Sequence, residues 1–398
     1  MISLAAARAL IAENIAPLPA QPAALALAFA RGLREDIRAD ADLPAFDRSA
    51  MDGYAVALED ASEKFRIIGE IQPGVSPSLK ISRGECARIF TGAQIPDGAV
   101  QVLMQENVRV ENGFIIPTQR SPVAHIRRRG EDARQGDLLL KAGTRLGAGE
   151  LALLASLGVT QPKVSPPVRA AHFVTGNELV EPSQQPAAGQ IRDSNSTLVA
   201  ALIHRFGGEI SKQETVADDF NLLLGKVREA EDNFDLLLVS GGASVGDYDF
   251  GKKLLTALGF TIHFEKINLR PGKPLIFATR GNQAAFVLPG NPVSHFVTLH
   301  VAVRLALEIF SGATAAWPLV KIRLAENFDC RPDARETFWP ARVEIQHGEL
   351  VVRALRWQSS GDVTGLTGVN ALIRFEGKAS APKAGEAVSV LLLEGLAG

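Results

Sequence analysis

The chain has 398 residues, 46% hydrophobic and 22% charged, with a formal net charge of -2. That length suits two to four domains, and the near-neutral balance excludes a whole-molecule field for nucleic acid. Two distant cysteines, Cys86 and Cys330, exclude a disulfide framework or a CxxC pair, and the seven histidines lack HExxH or HxH spacing, so a histidine zinc site is not expected.

Residues 1 to about 43 read as helices. Leu4, Ala7, Leu10, Ile11 and Ile15 recur near the 3.6-residue period, and Ala24 to Leu33 has a helix-forming composition. The uncharged stretch Asn14 to Ala30 is broken by Pro17, Pro19 and Pro22 and lacks a basic flank. It is neither a membrane span nor a secretory signal, so a cytoplasmic protein with no membrane partner is expected. From about 44 to 134 the signals are β: Phe65 to Ile68, Cys86 to Phe90 and Val100 to Met104. Val108 to Ile116 reads as a hairpin, because Asn112-Gly113 suits a type I′ turn. Helical pattern returns at Leu146 to Leu157. This predicts a helical/linker domain from residues 1–43 and 135–165, with a β domain, 44–134, inserted.

Residues 166–312 alternate strand and helix. Strands are expected at Ala170–Val174, Asp235–Val239, Thr261–Ile267, Leu275–Ala278 and Ala284–Leu288. Helices are expected at Ser196–Phe206, Phe220–Ala230, Phe250–Leu258 and Val293–Phe310. Unbroken apolar runs such as Leu236 to Val239 suit strands covered on both faces, hence a doubly wound α/β domain with ligands at the carboxyl ends of its strands. Residues 313–398 return to β alternation and predict a small C-terminal β-barrel domain.

Candidate chemistry gathers in the α/β loops. Ser240, Gly241, Gly242, Ser244 and Gly246 follow a buried strand, with Asp247 and Asp249 behind them. Glycines let backbone N–H groups approach a phosphate, serines donate, and carboxylates hold a hard cation; the alternative is a plain turn with an aspartate as helix cap. In Arg270-Pro-Gly-Lys273-Pro274, prolines stiffen a loop that fixes two cations, a pattern suited to a tetrahedral oxyanion. Pro289, Gly290, Asn291, Pro292 and Ser294 end the next strand and open a helix, although Pro292 could simply start that helix. Glu178, Asp193 and Asp218 flank this rim, and Asp193 or Ser194 could equally cap the helix at Ser196. Arg127-Arg128-Arg129 reads as either a solvated face or a set of ion-pair donors.

Eight segments, in order, resemble the molybdopterin molybdenumtransferase family (the MoeA family, similar to the gephyrin E-domain). They are FDRSAMDGYA (46–55), IFTGAQIPDGA (89–99), RRRGEDA (127–133), TGNEL (175–179), GQIRDSN (189–195), SGGASVGDYDF (240–250), RPGKP (270–274) and LPGNPVS (288–294). The resemblance implies an enzyme that inserts molybdenum from molybdate into adenylylated molybdopterin and releases AMP. It places essential positions at Asp52, Thr91, Asp132, Glu178, Asp218 and Asp249, a proline loop at Pro289 and Pro292, and a molybdate pocket at Arg270, Lys273 and Ser294. Mg2+ on Asp249 and Asp218 is expected, as are a homodimer with shared active sites and an adenylyltransferase or molybdoenzyme-maturation partner. Arg48, Asn177, Arg270 and Phe250 stand where Asn, Asp, Lys and Tyr are common. A stand-alone molybdopterin adenylyltransferase shares the glycine loop but would leave the first 165 or so residues, with their own matching motifs, unexplained. A non-enzymatic scaffold would need linkers absent from this sequence.

Overall fold

A computed structural model describes residues 1–57, 62–241, 247–315, 317–328, 333–376 and 382–393, with residues 247–249 described as backbone only. The chain forms two compact units: Met1–Glu35 with Ala142–Ala155 and Val159–Gly398, and Asp36–Lys141 with Ser156–Gly158.

The larger unit is built on a six-stranded sheet. Its strands are β1 (Val168–Thr175), β2 (Gly208–Val216), β3 (Leu236–Ser240), β4 (Thr261–Lys266), β5 (Pro274–Arg280) and β6 (Gln283–Leu288), in the order 2-1-3-6-5-4. The first four in that order run parallel; β5 pairs antiparallel with β6, and the edge strand β4 pairs antiparallel with β5. All five residues of β3 are buried, as an apolar strand covered on both faces requires. Helices α1 (Asn195–Arg205) and α4 (Pro292–Phe310) cover one face through Val199, Leu202, Ile203, Val297 and Val301. Helices α2 (Phe220–Ala230) and α3 (Asp247–Ala257) cover the other through Leu223, Val227, Leu254 and Leu255. This is the doubly wound arrangement. α4 is long and apolar enough to cross a membrane, yet 89% of it is buried inside the fold, as in a core helix.

Two expectations change at the N-terminus. Leu4–Asn14 is helical, but its Leu4, Ala7 and Ile11 join the core under the α/β sheet. The second expected helix shrinks to Leu25–Ala28. Its composition favours helix, but Gly32 must pass the backbone of Ser311, where an added Cβ would lie 2.2 Å from the carbonyl oxygen. Tertiary packing overrides propensity there. The strand Gly208–Val216 was not expected from its polar sequence; it is an edge strand with mostly solvated positions.

The C-terminal strands close on themselves. Glu336–Gln346 pairs with Glu349–Ala354, that strand with Leu319–Leu324, the next with Ala387–Leu392 and then with Ala371–Phe375, which returns to Glu336–Gln346. The result is a closed barrel around Ile322, Val343, Val352 and Val390. Leu269–Arg270 adds to it as a short parallel strand beside Glu336–Thr337, tying the barrel to the α/β domain.

The smaller unit carries its own six-stranded sheet, in the order Gln101–Met104, Gly53–Val56, Glu85–Ile89, Phe65–Ile71, Phe114–Pro117, Val108–Glu111. The last two form the expected hairpin, with φ of +47° at Asn112 and +79° at Gly113, as a type I′ turn demands.

Three histidines lie buried in the α/β core. Burial pushes His172 down to about 3, helped by the neighbouring His295, and His300 down to about 3, helped by Arg304 and Arg205. It pushes His295 down to about 4 against an upward pull from Asn291 and Asp193. Unfolded histidines titrate near 6.5, so below that pH the unfolded chain binds more protons than the folded one. Stability is therefore complete above about pH 6.5 and falls as pH drops toward the depressed values. The loss is about 1.4 kcal/mol per histidine per pH unit. Urea titrations at about pH 7.5 and about pH 5.5 should show a lower midpoint at the acid value. An unchanged or higher midpoint would mean that these rings are not held neutral by the fold.

Candidate functional site

In the sheet order 2-1-3-6, β1 connects outward to β2, and β3 then starts on the opposite side of β1. The loops leaving β1 and β3 therefore diverge and open a crevice between them. The crossing is tight. Gly241, just past β3, has φ +104°, and a Cβ there would lie 2.1 Å from the Thr175 carbonyl oxygen at the end of β1. Only glycine fits.

Above this crossing is a cavity of about 680 Å³, lined by Thr175, Gly176, Glu178, Asp193, Asp218, Gly241, Gly290, Asn291 and Pro292, among others. It is acidic. Asp218 and Asn177 hold each other reciprocally: the Asn177 N–H donates to the Asp218 carboxylate at 3.2 Å, and the Asp218 N–H donates to the Asn177 side-chain oxygen at 3.2 Å. Glu178 and Asp218 remain exposed. Asp193 is spent as a cap, accepting from the Ser196 N–H at 3.0 Å and from its hydroxyl. Asp219 caps α2 by accepting from the Leu222 N–H at 2.8 Å, which leaves its neighbour Asp218 free to face the cavity.

A second cavity, of about 300 Å³, shares the Gly290–Asn291 wall and is cationic. Arg270, Lys273 and Ser294 line it together with Pro289, and residues not foreseen join them, among them Arg335, Trp339 and Trp357. Asp333 accepts from Arg335 at 2.7 and 2.9 Å and from Arg270 at 3.4 Å. Hydrogen bonding from Arg335 outweighs burial and holds the Asp333 carboxyl at about 2. Three cations thus converge with one carboxylate behind them. Lys273 has no ion-pair partner among the described residues and is exposed to the cavity. The Arg270 guanidinium also sits 5.6 Å from the Trp357 ring centroid, and Trp339 meets Trp357 edge-on at 4.6 Å.

The wall between the cavities is braced from both sides. Asn195 donates to the Gly290 carbonyl at 2.7 Å, and Asn291 donates to the Ser360 hydroxyl at 2.9 Å. The Val293 N–H donates to the Ser360 carbonyl at 3.0 Å. Pro292 does start α4.

Ser240 departs from its expected role as a hydroxyl donor to a ligand. It is fully buried, and its hydroxyl lies between two histidine rings. Gly242, Ser244 and Gly246 lie outside the described residues, and of Asp249 only the helical backbone is described.

The remaining candidates lie in the smaller unit. Asp52 accepts from the Thr91 N–H at 2.7 Å and its hydroxyl at 2.8 Å. These bonds, with Arg88 nearby, hold its carboxyl below the usual range. Asp132 pairs with Arg127. Arg128 pairs with Asp47 and Arg129 with Asp42, so the arginine run is an ion-pair ladder.

Three family models match in succession: the MoeA N-terminal region (domain I and II) over residues 2–158, a "Probable molybdopterin binding domain" over 171–308, and the MoeA C-terminal region (domain IV) over 321–393. A molybdopterin molybdenumtransferase of Nostoc sp. is 36% identical over 86% of this chain and 81% of its own. The chain belongs to the molybdopterin molybdenumtransferase family. A relative of that name from Staphylococcus aureus is 31% identical over 96% of this chain and 94% of its own. A solved molybdopterin biosynthesis MoeA protein of Pyrococcus horikoshii has a TM-score of 0.83 at 27% identity, covering 98% of this chain and all of the other. The architecture of this molybdopterin molybdenumtransferase family member is thus the MoeA one from end to end. The flanking matches set aside the single-domain adenylyltransferase alternative.

Proposed function

We propose that the protein catalyses the reaction for which its relatives are named: transfer of molybdenum from molybdate onto adenylylated molybdopterin, with release of AMP. The observation that carries this reading is the pair of cavities of opposite charge sharing the Gly290–Asn291 wall. A tetrahedral dianion suits the pocket where Arg270, Lys273 and Arg335 outnumber Asp333, because fixed cations replace its hydration shell. The phosphate-bearing substrate suits the crevice at the ends of β1 and β3, where Gly241 brings backbone close to a ligand. The sulfur ligands belong to the pterin, so no protein thiolate is needed. Cys86 fits that account, being buried with its thiol pushed up to about 12.

Mg2+ is the expected cation of the acidic cavity. Among the described residues no cluster of three or more His, Cys, Asp or Glu could hold a metal. Two exposed carboxylates, Asp218 and Glu178, with room for substrate phosphate fit Mg2+, which prefers few protein ligands beside water and phosphate. Asp218 and Glu178 would hold it, with Asp249 a third donor suggested by its motif. When bound, it supplies Lewis-acid charge at the phosphoanhydride. The chain's own part is to orient both substrates across the shared wall, so that the dithiolene meets the oxyanion as AMP leaves.

The two cavities should separate in mutants. Lys273→Ala should raise the molybdate concentration needed by about tenfold while AMP-adduct affinity stays near wild type, as one fixed cation is lost. Asp218→Asn should do the reverse, slowing AMP release and shifting its Mg2+ dependence. Equal loss of both affinities in Lys273→Ala would reassign that residue to the pterin phosphate.

A homodimer with shared sites, Asp52 of one chain serving with Asp218 of the other, is also part of this proposal. Tag-selected heterodimers of Asp52→Ala and Asp218→Ala chains should regain about half of wild-type activity, since one site of two collects neither change. Activity no higher than in the parent variants would mean that each chain completes its own site.

A further inference from the structure

Ser240 ends the central strand β3, and its side chain is the node of a buried hydrogen-bonded line. Its Oγ lies 2.7 Å from His172 Nε2, on the neighbouring strand β1, and 2.6 Å from His295 Nε2, in the first turns of α4. His172 Nδ1 lies 2.9 Å from the Gln213 amide nitrogen on β2. That amide nitrogen also donates to the Ser196 carbonyl at 3.0 Å, which fixes its orientation. Ser240, His172 and His295 are each 0% exposed.

The protons along this line follow from its first member. An amide nitrogen only donates, so His172 Nδ1 accepts and the His172 proton sits on Nε2. That Nε2–H donates to Ser240 Oγ. The serine has one proton, which goes to His295 Nε2. The His295 proton is then on Nδ1, a buried atom with no hydrogen-bond partner. Both rings are neutral, since burial depresses their basicity. An unpaired buried donor is costly, and an ordinary core would avoid it.

The line spans β2, β1, β3 and α4, and it ends beneath both loops that shape the cavities. Ser240 precedes Gly241, and the His295 backbone N–H donates at 3.0 Å to the carbonyl of Asn291, on the shared wall. We propose that the Gln213–His172–Ser240–His295 line is a positioning element that holds the Pro289–Pro292 loop at its working distance from the Gly241 crossing. Ser240 and His295 act through these loops and touch no substrate. This rests on the reaction proposed above for its kinetic consequence, but the geometry can be read without any activity.

The test combines three readouts on the full chain. Nitrogen-15 NMR of the histidine rings should show a protonated Nε2 on His172 and a protonated Nδ1 on His295. Gln213→Glu, a change at an exposed position, replaces the donor by an acceptor and should invert both tautomers while the protein stays folded. In Ser240→Ala, amide hydrogen exchange of the peptide spanning residues 289–297 should rise by about tenfold, from loss of a local brace. The turnover of AMP release should fall by about tenfold, with the KM for molybdate changed far less. With Ser240 in place, His295→Gln, whose side-chain oxygen can accept the serine proton, should keep both near wild type, and His295→Leu should lose them as Ser240→Ala does. Tautomers opposite to those derived, or no inversion in Gln213→Glu, would overturn the line. Unchanged exchange in Ser240→Ala would overturn its positioning role. Absence of AMP release from the wild-type protein would refute the proposed reaction instead, while the ring and exchange readouts would still judge the line.

Discussion

The constraint on which the crevice depends is the contact between the ends of β1 and β3. A carbonyl oxygen of Thr175 occupies the space where any side chain at residue 241 would begin. Glycine there lets two parallel strands end side by side while their loops diverge, and the divergence is the crevice. The acidic residues that line it stand just beyond β1 and β2 at Glu178 and Asp218. A bulkier turn would push these loops apart.

The second cavity shows how a neighbouring domain is recruited. Arg270 is at once the end of a barrel-paired strand and the start of the stiff loop carrying Lys273. Pairing with Thr337 brings Arg335 alongside, and Asp333 offsets the repulsion between the two guanidinium groups. The balance matters because three clustered cations without a counter-charge would repel one another in a half-buried site. One carboxylate leaves a positive excess for an oxyanion to neutralise. In the proposed reaction the Gly290–Asn291 wall sets the distance over which the two substrates meet, and its bracing from α1 and from Ser360 holds the wall in place.

Much of this was legible in the sequence wherever a local rule applied. Helix Phe220–Ala230 fell at its observed bounds because Asp219 offers a cap and apolar residues repeat at helical spacing. The hairpin at Asn112-Gly113 followed from backbone conformations few residue types adopt. What was missed depends on contacts between distant segments. Edge strand Gly208–Val216 is polar because one side of it has no neighbour. Arg335, Trp339 and Trp357 carry no motif; they reach the site only because the barrel closes and docks through Leu269–Arg270. Ser240 was misread for a related reason. A serine beside glycines suits phosphate binding, but His172 and His295, far from it in sequence, claim its hydroxyl.

The central claim is that one protein holds molybdate and an adenylylated dithiolene pterin on two sides of one wall and joins them. Its most direct test is a single-turnover reaction of the purified protein with adenylylated molybdopterin, molybdate and Mg2+, following AMP by chromatography and molybdenum in the pterin fraction by elemental analysis. The account predicts that AMP release and molybdenum incorporation rise together, about one for one, and that omitting molybdate stops incorporation. Formation of adenylylated molybdopterin from ATP and molybdopterin, with no molybdenum entering the pterin when molybdate is supplied, would contradict it.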